Sequence, residues 1–267
     1  MNSKYKVVKF KKDKFENIDD FISIEEPLEI LLKYKEKDNW VINSLSITMR
    51  TPGHDEDLVR GFLHNEQIIQ NISDIDSIES FGEKVGQYKI QNKIQVTLNN
   101  SKNINISKIK RDFITNSSCG VCGKSSLDAL EIIKKEKTFN SDPRLTKDTI
   151  IQSPTILRNN QSEFSKTGGI HASGLFSSDG KLISLREDVG RHNALDKMIG
   201  NALNKNQIEA KNQFVTCSGR LNFELVQKVL MTNIGLMIGV GAPTSLAIDL
   251  ANRFDMTLIG FVKEDSF

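Results

Sequence analysis

The stretch NQFVTCSGRLNFELVQKVLMTNIGLMIGVGAP, Asn212–Pro243, decides the fold. Its two ends, NQFVTCSG and NIGLMIGVGAP, are short apolar runs closed by glycine, the pattern of buried strands. Between them, Asn222 to Leu230 reads as a helix. A strand, a helix and a second strand form a crossover unit, and such units build parallel sheets. Downstream, the sequence predicts a helix over Thr244 to Arg253 and a third buried strand in MTLIGFV. Upstream, IHASGLFSSDGKLISLRED reads as two strands joined at Ser178-Asp179-Gly180, a good hairpin turn. The next helix carries Leu195, Met198, Ile199 and Ala202 on one face, and another helix runs from about Ser153-Pro154 to about Glu163.

The predicted fold class is therefore α/β. An α/β sandwich occupies 112–267, preceded by a smaller β-rich segment over 1–111 with one helix. In that segment KYKVVKF, EEPLEILL and SLSITMR are strand candidates, and YKIQNKIQVTLNN is a strand or hairpin. TPGHD, Thr51 to Asp55, is a turn that opens the helix. Asp55, Glu56 and Asp57 sit in its first turn, where the helix dipole favours them, and Leu58, Phe62 and Ile69 share one side. Ser101 to Arg111 reads as a basic connector. SSLDALEIIKKEKTF reads as a helix with Leu127, Leu130 and Ile133 at helical spacing, and a polar linker surrounds Pro143.

Composition narrows the function classes. The chain has 267 residues, 38% hydrophobic and 26% charged, with a net charge of +2, so bulk charge gives no case for nucleic acid. Lys4, Lys6, Lys9, Lys11, Lys12 and Lys14 crowd the N-terminus, which reads as a solvated, partly frayed end at least as well as a binding arm. No apolar run follows them, so a signal peptide is not expected. The longest apolar-rich stretch, Val229 to Ala242, is broken by Thr232 and Asn233 and falls short of the ~20 residues a membrane span needs. Three cysteines without a leader point to a reducing, cytoplasmic compartment.

Two of those cysteines, Cys119 and Cys122, stand in the loop NSSCGVCGKSSLDAL. Alone, the pair leaves open a metal clip, a disulfide or a reactive thiol. A zinc site needs four ligands, or three and a water, and Cys217 lies in a strand where it reads as a small buried hydrophobe. A stable disulfide does not suit a reducing compartment. A position just before a predicted helix, with Lys124 nearby, favours a thiolate, and Gly120 and Gly123 leave the sulfurs unhindered.

Further candidates lie at strand ends. His171 follows two glycines in GGIHASG. In EDVGRHNALDK, the helical register puts Asp188, His192 and Asp196 four residues apart and lets Glu187 pair with Arg191. TCSGR offers Ser218, Gly219 and Arg220, and GVGAPTS offers Gly239, Gly241 and Thr244. Small residues and hydroxyls at helix starts suit phosphates, and ligands of open α/β sheets bind beyond the strand ends.

Together, TMRTPGHDEDLVRGFLHNEQII, SSCGVCG, GGIHASGLF, REDVGRHNALDK, TCSGR and GAPTSLAIDLA resemble the FdhD family in kind and order, from about Glu25 onward. The resemblance implies an accessory sulfurtransferase of formate dehydrogenase with a cytidine-deaminase-like fold, commonly dimeric. It implies a cysteine desulfurase as donor. The acceptor would be the molybdenum or tungsten bis(pyranopterin guanine dinucleotide) cofactor, Mo-bis(molybdopterin guanine dinucleotide) in the molybdenum form, bound as substrate. No permanently bound metal, nucleic acid or membrane is expected. By motif, the persulfide maps to Cys119, with Cys122 as supporting thiol. The cofactor-contacting stretch maps to Phe261, Val262, Lys263, Glu264, Asp265 and Ser266, where Lys263 suits phosphate and Glu264 and Asp265 oppose it. His171, Arg191, His192, Ser218 and Arg220 are the remaining candidate contacts. A C-terminal extension beyond Phe267 is expected from the resemblance. Rival readings are a zinc-stabilised nucleotide-binding module built on the cysteine pair and His171, and a zinc deaminase. The second lacks its H-x-E, having Ser173 in HAS, and its CxxC precedes the histidine.

Overall fold

A computed structural model describes residues 1–36, 39–99 and 144–267. The N-terminal strands β1 (Asn2–Lys11) and β2 (Lys14–Ser23) form an antiparallel hairpin. Its two-residue turn places Lys12 and Asp13 both in the left-handed region, the turn geometry that matches the twist of a hairpin. The terminus is thus not frayed: the Met1 ammonium lies 3.0 Å from Glu163, and the Ser23 hydroxyl donates to Thr167. Four strands follow, β3 (Glu26–Glu36), β4 (Asn39–Arg50), β5 (Ile75–Val85) and β6 (Ile90–Leu98), in the order β4-β3-β6-β5. Only β3 and β6 run parallel.

Helix α1 (Asp55–Asn65) closes one face of this sheet. Alternate residues of β3 (Leu28, Ile30, Leu32, Tyr34) meet Ile94, Val96 and Leu98 of β6 and Leu58, Val59 and Leu63 of α1 in one core. Each such fully buried aliphatic side chain stabilises the fold by roughly 1.5–3 kcal/mol. The helix ends at Asn65, so Ile69 lies beyond it rather than on its face. Gln67 turns left-handed there, and Ile69 joins the same core from the following loop.

The second layer contains α2 (Lys147–Asn159), α3 (Ser162–Thr167), β7 (His171–Ser177), β8 (Leu182–Asp188), α4 (Arg191–Asn204), β9 (Gln213–Cys217), α5 (Phe223–Met231), β10 (Leu236–Gly239), α6 (Ser245–Arg253) and β11 (Thr257–Ile259). The sheet order is β11-β10-β9-β7-β8. β9, β10 and β11 are parallel, and β7 is antiparallel to both β8 and β9. Helices α4, α5 and α6 pack on one face, where Leu195, Met198, Val229 and Leu250 meet Val215 and Met237. Helix α2 covers the other with Ile150 and Leu157, against the stacked rings of Phe176 and Phe214. This is the α/β sandwich read from Asn212–Pro243.

Both limits of α2 differ from the sequence reading. α2 starts at Lys147, where the Thr146 hydroxyl accepts from the Thr149 amide, and Pro154 sits inside it. Proline removes the N–H that would reach the Ile150 carbonyl, and the Ser153 hydroxyl donates to that oxygen at 3.2 Å instead. The chain then breaks at Asn160 and restarts as α3. The two layers meet where α1 crosses α4. A Cβ on Gly61 would lie 1.9 Å from the Asp196 carbonyl oxygen, and one on Gly200 1.9 Å from that of Asp57. Only glycine admits so close a crossing. The expected boundary at 111/112, the connector, the helix after the cysteines and the linker at Pro143 lie outside the described residues.

Candidate functional site

Because β7 runs against β9, the start of β7 lies beside the end of β9, and the end of β8 beside the start of β7. One edge of the sheet therefore gathers His171, the Asp188–Arg191 turn, Ser218-Gly219, Val240-Gly241 and Phe261–Lys263. The turns after β9, β10 and β11 are stitched together by backbone bonds. Val240 N–H donates to Cys217, Gly241 to Gly219, Phe261 to Gly241 and Val262 to Gly239. A Cβ on Gly241 would stand 2.7 Å from the Arg220 nitrogen, and one on Gly260 2.7 Å from the Pro243 ring. The glycines are what let these turns lie side by side.

Above this edge opens a cleft of about 1020 Å³. His171, Ser218, Val240, Val262, Lys263 and Glu264 form one side, and Pro154, Arg158, Gln161 and Phe164 of the α2–α3 elbow form the other. Five sequence-predicted residues thus share it: His171, Ser218, Val262, Lys263 and Glu264. Phe261, Asp265 and Ser266 do not line it; the Lys263 amide donates to the Ser266 carbonyl, closing a turn at its rim. Arg220 is exposed outside the cleft. Arg191 stands beside its floor: a Cβ on Gly219 would come within 3.3 Å of the His171 ring and 3.7 Å of Arg191 Cδ.

The Ser218 hydroxyl accepts from the Ala172 amide at 2.9 Å and lies 3.5 Å from His171 Nδ1. Burial, and then the charges of Arg191 and His192, hold the His171 pKa below its ordinary value. His171 is therefore neutral at neutral pH and offers a hydrogen bond without a charge. Arg191 supplies the positive charge beside it, and its buried Nε has no hydrogen-bond partner among the described residues.

His192 does not lie between Asp188 and Asp196. Its Nε2 is 2.9 Å from Glu224 Oε2 and also meets Asn222. The sequence reading extended the helix back to Asp188, but α4 begins only at Arg191. Asp188 is buried and pairs with Lys197 at 2.7 Å. It also accepts from the Thr51 and Gly190 amides, while Lys197 donates to the Thr51 carbonyl. Asp196 pairs with Lys228 at 2.9 Å and accepts from Asn65. Burial opposes the Lys228 charge, but Asp196 and Glu66 outweigh it and its pKa is raised. Glu187 does not pair with Arg191; it accepts from the Glu163 and Phe164 amides and caps α3. Thr51, Lys197 and Glu187 thus hold the α4 start and the cleft wall, and sequence periodicity gave no sign of it.

Cys119 and Cys122 lie outside the described residues. Cys217 is buried against the Ser173 hydroxyl at 3.3 Å, and burial pushes its pKa up to about 11, so it is not a nucleophile. Ser173 itself is buried in the β7–β9 register, where a deaminase would need a carboxylate facing substrate. Among the described residues no three His, Cys, Asp or Glu side chains are grouped to hold a metal, and no helix is long and apolar enough to cross a membrane.

Comparison with known proteins agrees with this arrangement. The sequence profile of the FdhD/NarQ family matches residues 24–267, leaving the whole β1–β2 hairpin outside it. The sulfur carrier protein FdhD of Sulfolobus acidocaldarius is 39% identical over 264 residues, covering 99% of this chain and 94% of its own. That of Sulfurisphaera tokodaii is 41% identical, covering 93% and 89%, and that of Streptomyces coelicolor 38%, covering 98% and 90%. A crystal structure described as a formate dehydrogenase accessory protein from Desulfotalea psychrophila shares the fold. Its TM-score is 0.71 at 23% identity, over 99% of this chain and 94% of that one.

Proposed function

The chain belongs to the FdhD/NarQ family, and on that premise we propose that it is a sulfur carrier serving a formate dehydrogenase. It takes sulfur from a cysteine desulfurase and delivers it to the enzyme's molybdenum or tungsten bis(pyranopterin guanine dinucleotide) cofactor, its substrate. Cys119 thiolate attacks the terminal sulfur of the desulfurase persulfide; that S–S bond breaks, a new one forms on Cys119, and the desulfurase thiolate leaves. Cys122 thiolate then attacks Cys119 Sγ. This expels hydrosulfide toward the cofactor metal and leaves a Cys119–Cys122 disulfide: oxidation of the two thiols supplies the two electrons that convert persulfide sulfur to sulfide, and a dithiol reductant then restores the pair. The carrier works in the cytoplasm as a homodimer.

The cleft is the observation that supports this reading most. It is large enough for part of a dinucleotide cofactor and mostly apolar in its lining, with a small set of polar groups. Lys263 and Arg191 offer charge for phosphate, and neutral His171 with Ser218 offers hydrogen bonds. Glu264, in the same wall, keeps phosphate toward the Lys263 and Arg191 side. Incubation with desulfurase and cysteine, followed by intact mass, tests the sulfur step. The parent gains sulfur that a reductant removes, and Cys119→Ala does not; equal gain by Cys119→Ala sinks the assignment.

A further inference from the structure

The residue that serves the cleft in a way the strand ends do not is Gln161. It occupies the N-cap position of α3, where a polar side chain ordinarily accepts from the first turn, but it makes no capping bond. Glu187 accepts from those amides instead, leaving the Gln161 carboxamide unused by the helix. Gln161 is 2% exposed and lines the cleft, and its Nε2 is buried with no hydrogen-bond partner among the described residues. A buried amide donor left unmade is unfavourable, so such a group in a cleft wall points to a ligand that completes it. On either side, three residues away, stand Arg158 and Phe164, with the Arg158 guanidinium 3.2 Å above the Phe164 ring. The elbow between α2 and α3 thus presents a flat cation–aromatic stack beside an unsatisfied carboxamide.

We propose that Gln161 and the Arg158–Phe164 stack hold a planar heterocycle by its edge and face, and that Gln161 reads an oxo group next to a ring N–H. A carboxamide donates and accepts side by side, so its partner must accept and donate on one edge. Phosphate, an acceptor, would satisfy Nε2 alone and give the carboxamide oxygen nothing to accept, and an apolar ring leaves Nε2 unpaired. Guanine and pterin both carry the matching edge, and the stack suits either face. This inference rests on the cofactor reading above, which contains both rings, and it assigns them to the α2–α3 wall rather than to the strand ends.

Isothermal titration of the full chain with GDP and, separately, with neopterin tests it and tells the two sources apart. The parent binds one or both. Gln161→Leu weakens each ring that binds by about ten-fold or more, the expected size for a lost hydrogen-bonded pair in a dry site. Phe164→Leu weakens the same ring, and pyrophosphate affinity stays as in the parent for both variants. Unliganded Gln161→Leu melts no lower than the parent, because it removes an unsatisfied group. Undiminished ring binding by Gln161→Leu overturns the inference and leaves the carrier function standing. A fall in melting temperature together with the lost binding also overturns it, since Gln161 is then structural. If the parent binds neither ring, the cofactor reading falls and this inference with it.

Discussion

Asp188 and Lys197 set the local geometry of the cleft floor. Both are buried, 2.7 Å apart, and both reach Thr51, 137 and 146 residues away. Burial raises the Asp188 pKa, and Lys197 and two backbone amides work against that rise. Lys197→Met removes the partner and leaves a buried carboxylate. It is expected to destabilise the fold by roughly 3–5 kcal/mol, read as a lower urea midpoint with an unchanged slope. This pair was not legible in the sequence. Helical spacing joined Asp188 to His192, whereas Asp188 ends a strand and finds its partner across a turn. His171 and Ser218 were legible as strand-end candidates, because the register of β7 on β9 brings those ends to one edge. Gln161 gave no signal, since its role comes from what Glu187 does to its helix.

Among the elements, α1 and α4 decide how the two sheets meet. Gly61 and Gly200 let their backbones touch, and Arg186 reaches across to Asp57 at 2.8 Å. Gly200→Ala pushes a methyl into the Asp57 carbonyl, which cannot yield without moving α1. A loss of roughly 1–3 kcal/mol or more is expected, although alanine is the better helix former; calorimetry that finds stabilisation contradicts this packing account. A second expectation concerns α3, whose first turn hangs on Glu187. Glu187→Ala should lower stability by about 0.5–2 kcal/mol, the usual effect of a lost helix cap, and speed amide exchange in α3 above all. Apolar periodicity revealed the buried strands and α4, α5 and α6. It could not reveal β2 or β5, whose residues are all exposed or half-buried. It also misplaced the start of α2, since Pro154 reads as a first-turn residue and only the Ser153 back-bond accommodates it inside.

For the molecule as a whole, pH couples the cleft to stability. The folded state holds His171 below its unfolded pKa near 6.5, through burial and the charges of Arg191 and His192. The unfolded chain therefore takes up this proton first. The stability associated with neutral His171 is complete above about pH 6.5 and is lost as pH falls toward the folded pKa. His54 shifts the same way, through burial and then the Arg186 charge. Urea midpoints at about pH 7.5 and 5.5 should drop less for His171→Gln than for the parent; an equal drop removes His171 from the account. The layered α/β plan was readable from one crossover unit, and the cleft was not, because its far wall comes from helices whose limits the sequence hid.

The proposed transfer has the strand-end cleft hold the cofactor while Cys119 delivers sulfur to it. Its most direct measurement follows labelled sulfur. The parent and His171→Ala/Arg191→Ala are loaded from radiolabelled cysteine by a desulfurase, then mixed with sulfur-free formate dehydrogenase. The account predicts that both proteins load, that the parent passes its label to the enzyme's cofactor, and that the double variant retains it. Transfer by the double variant at the parent's rate, or no transfer by the parent, contradicts the account.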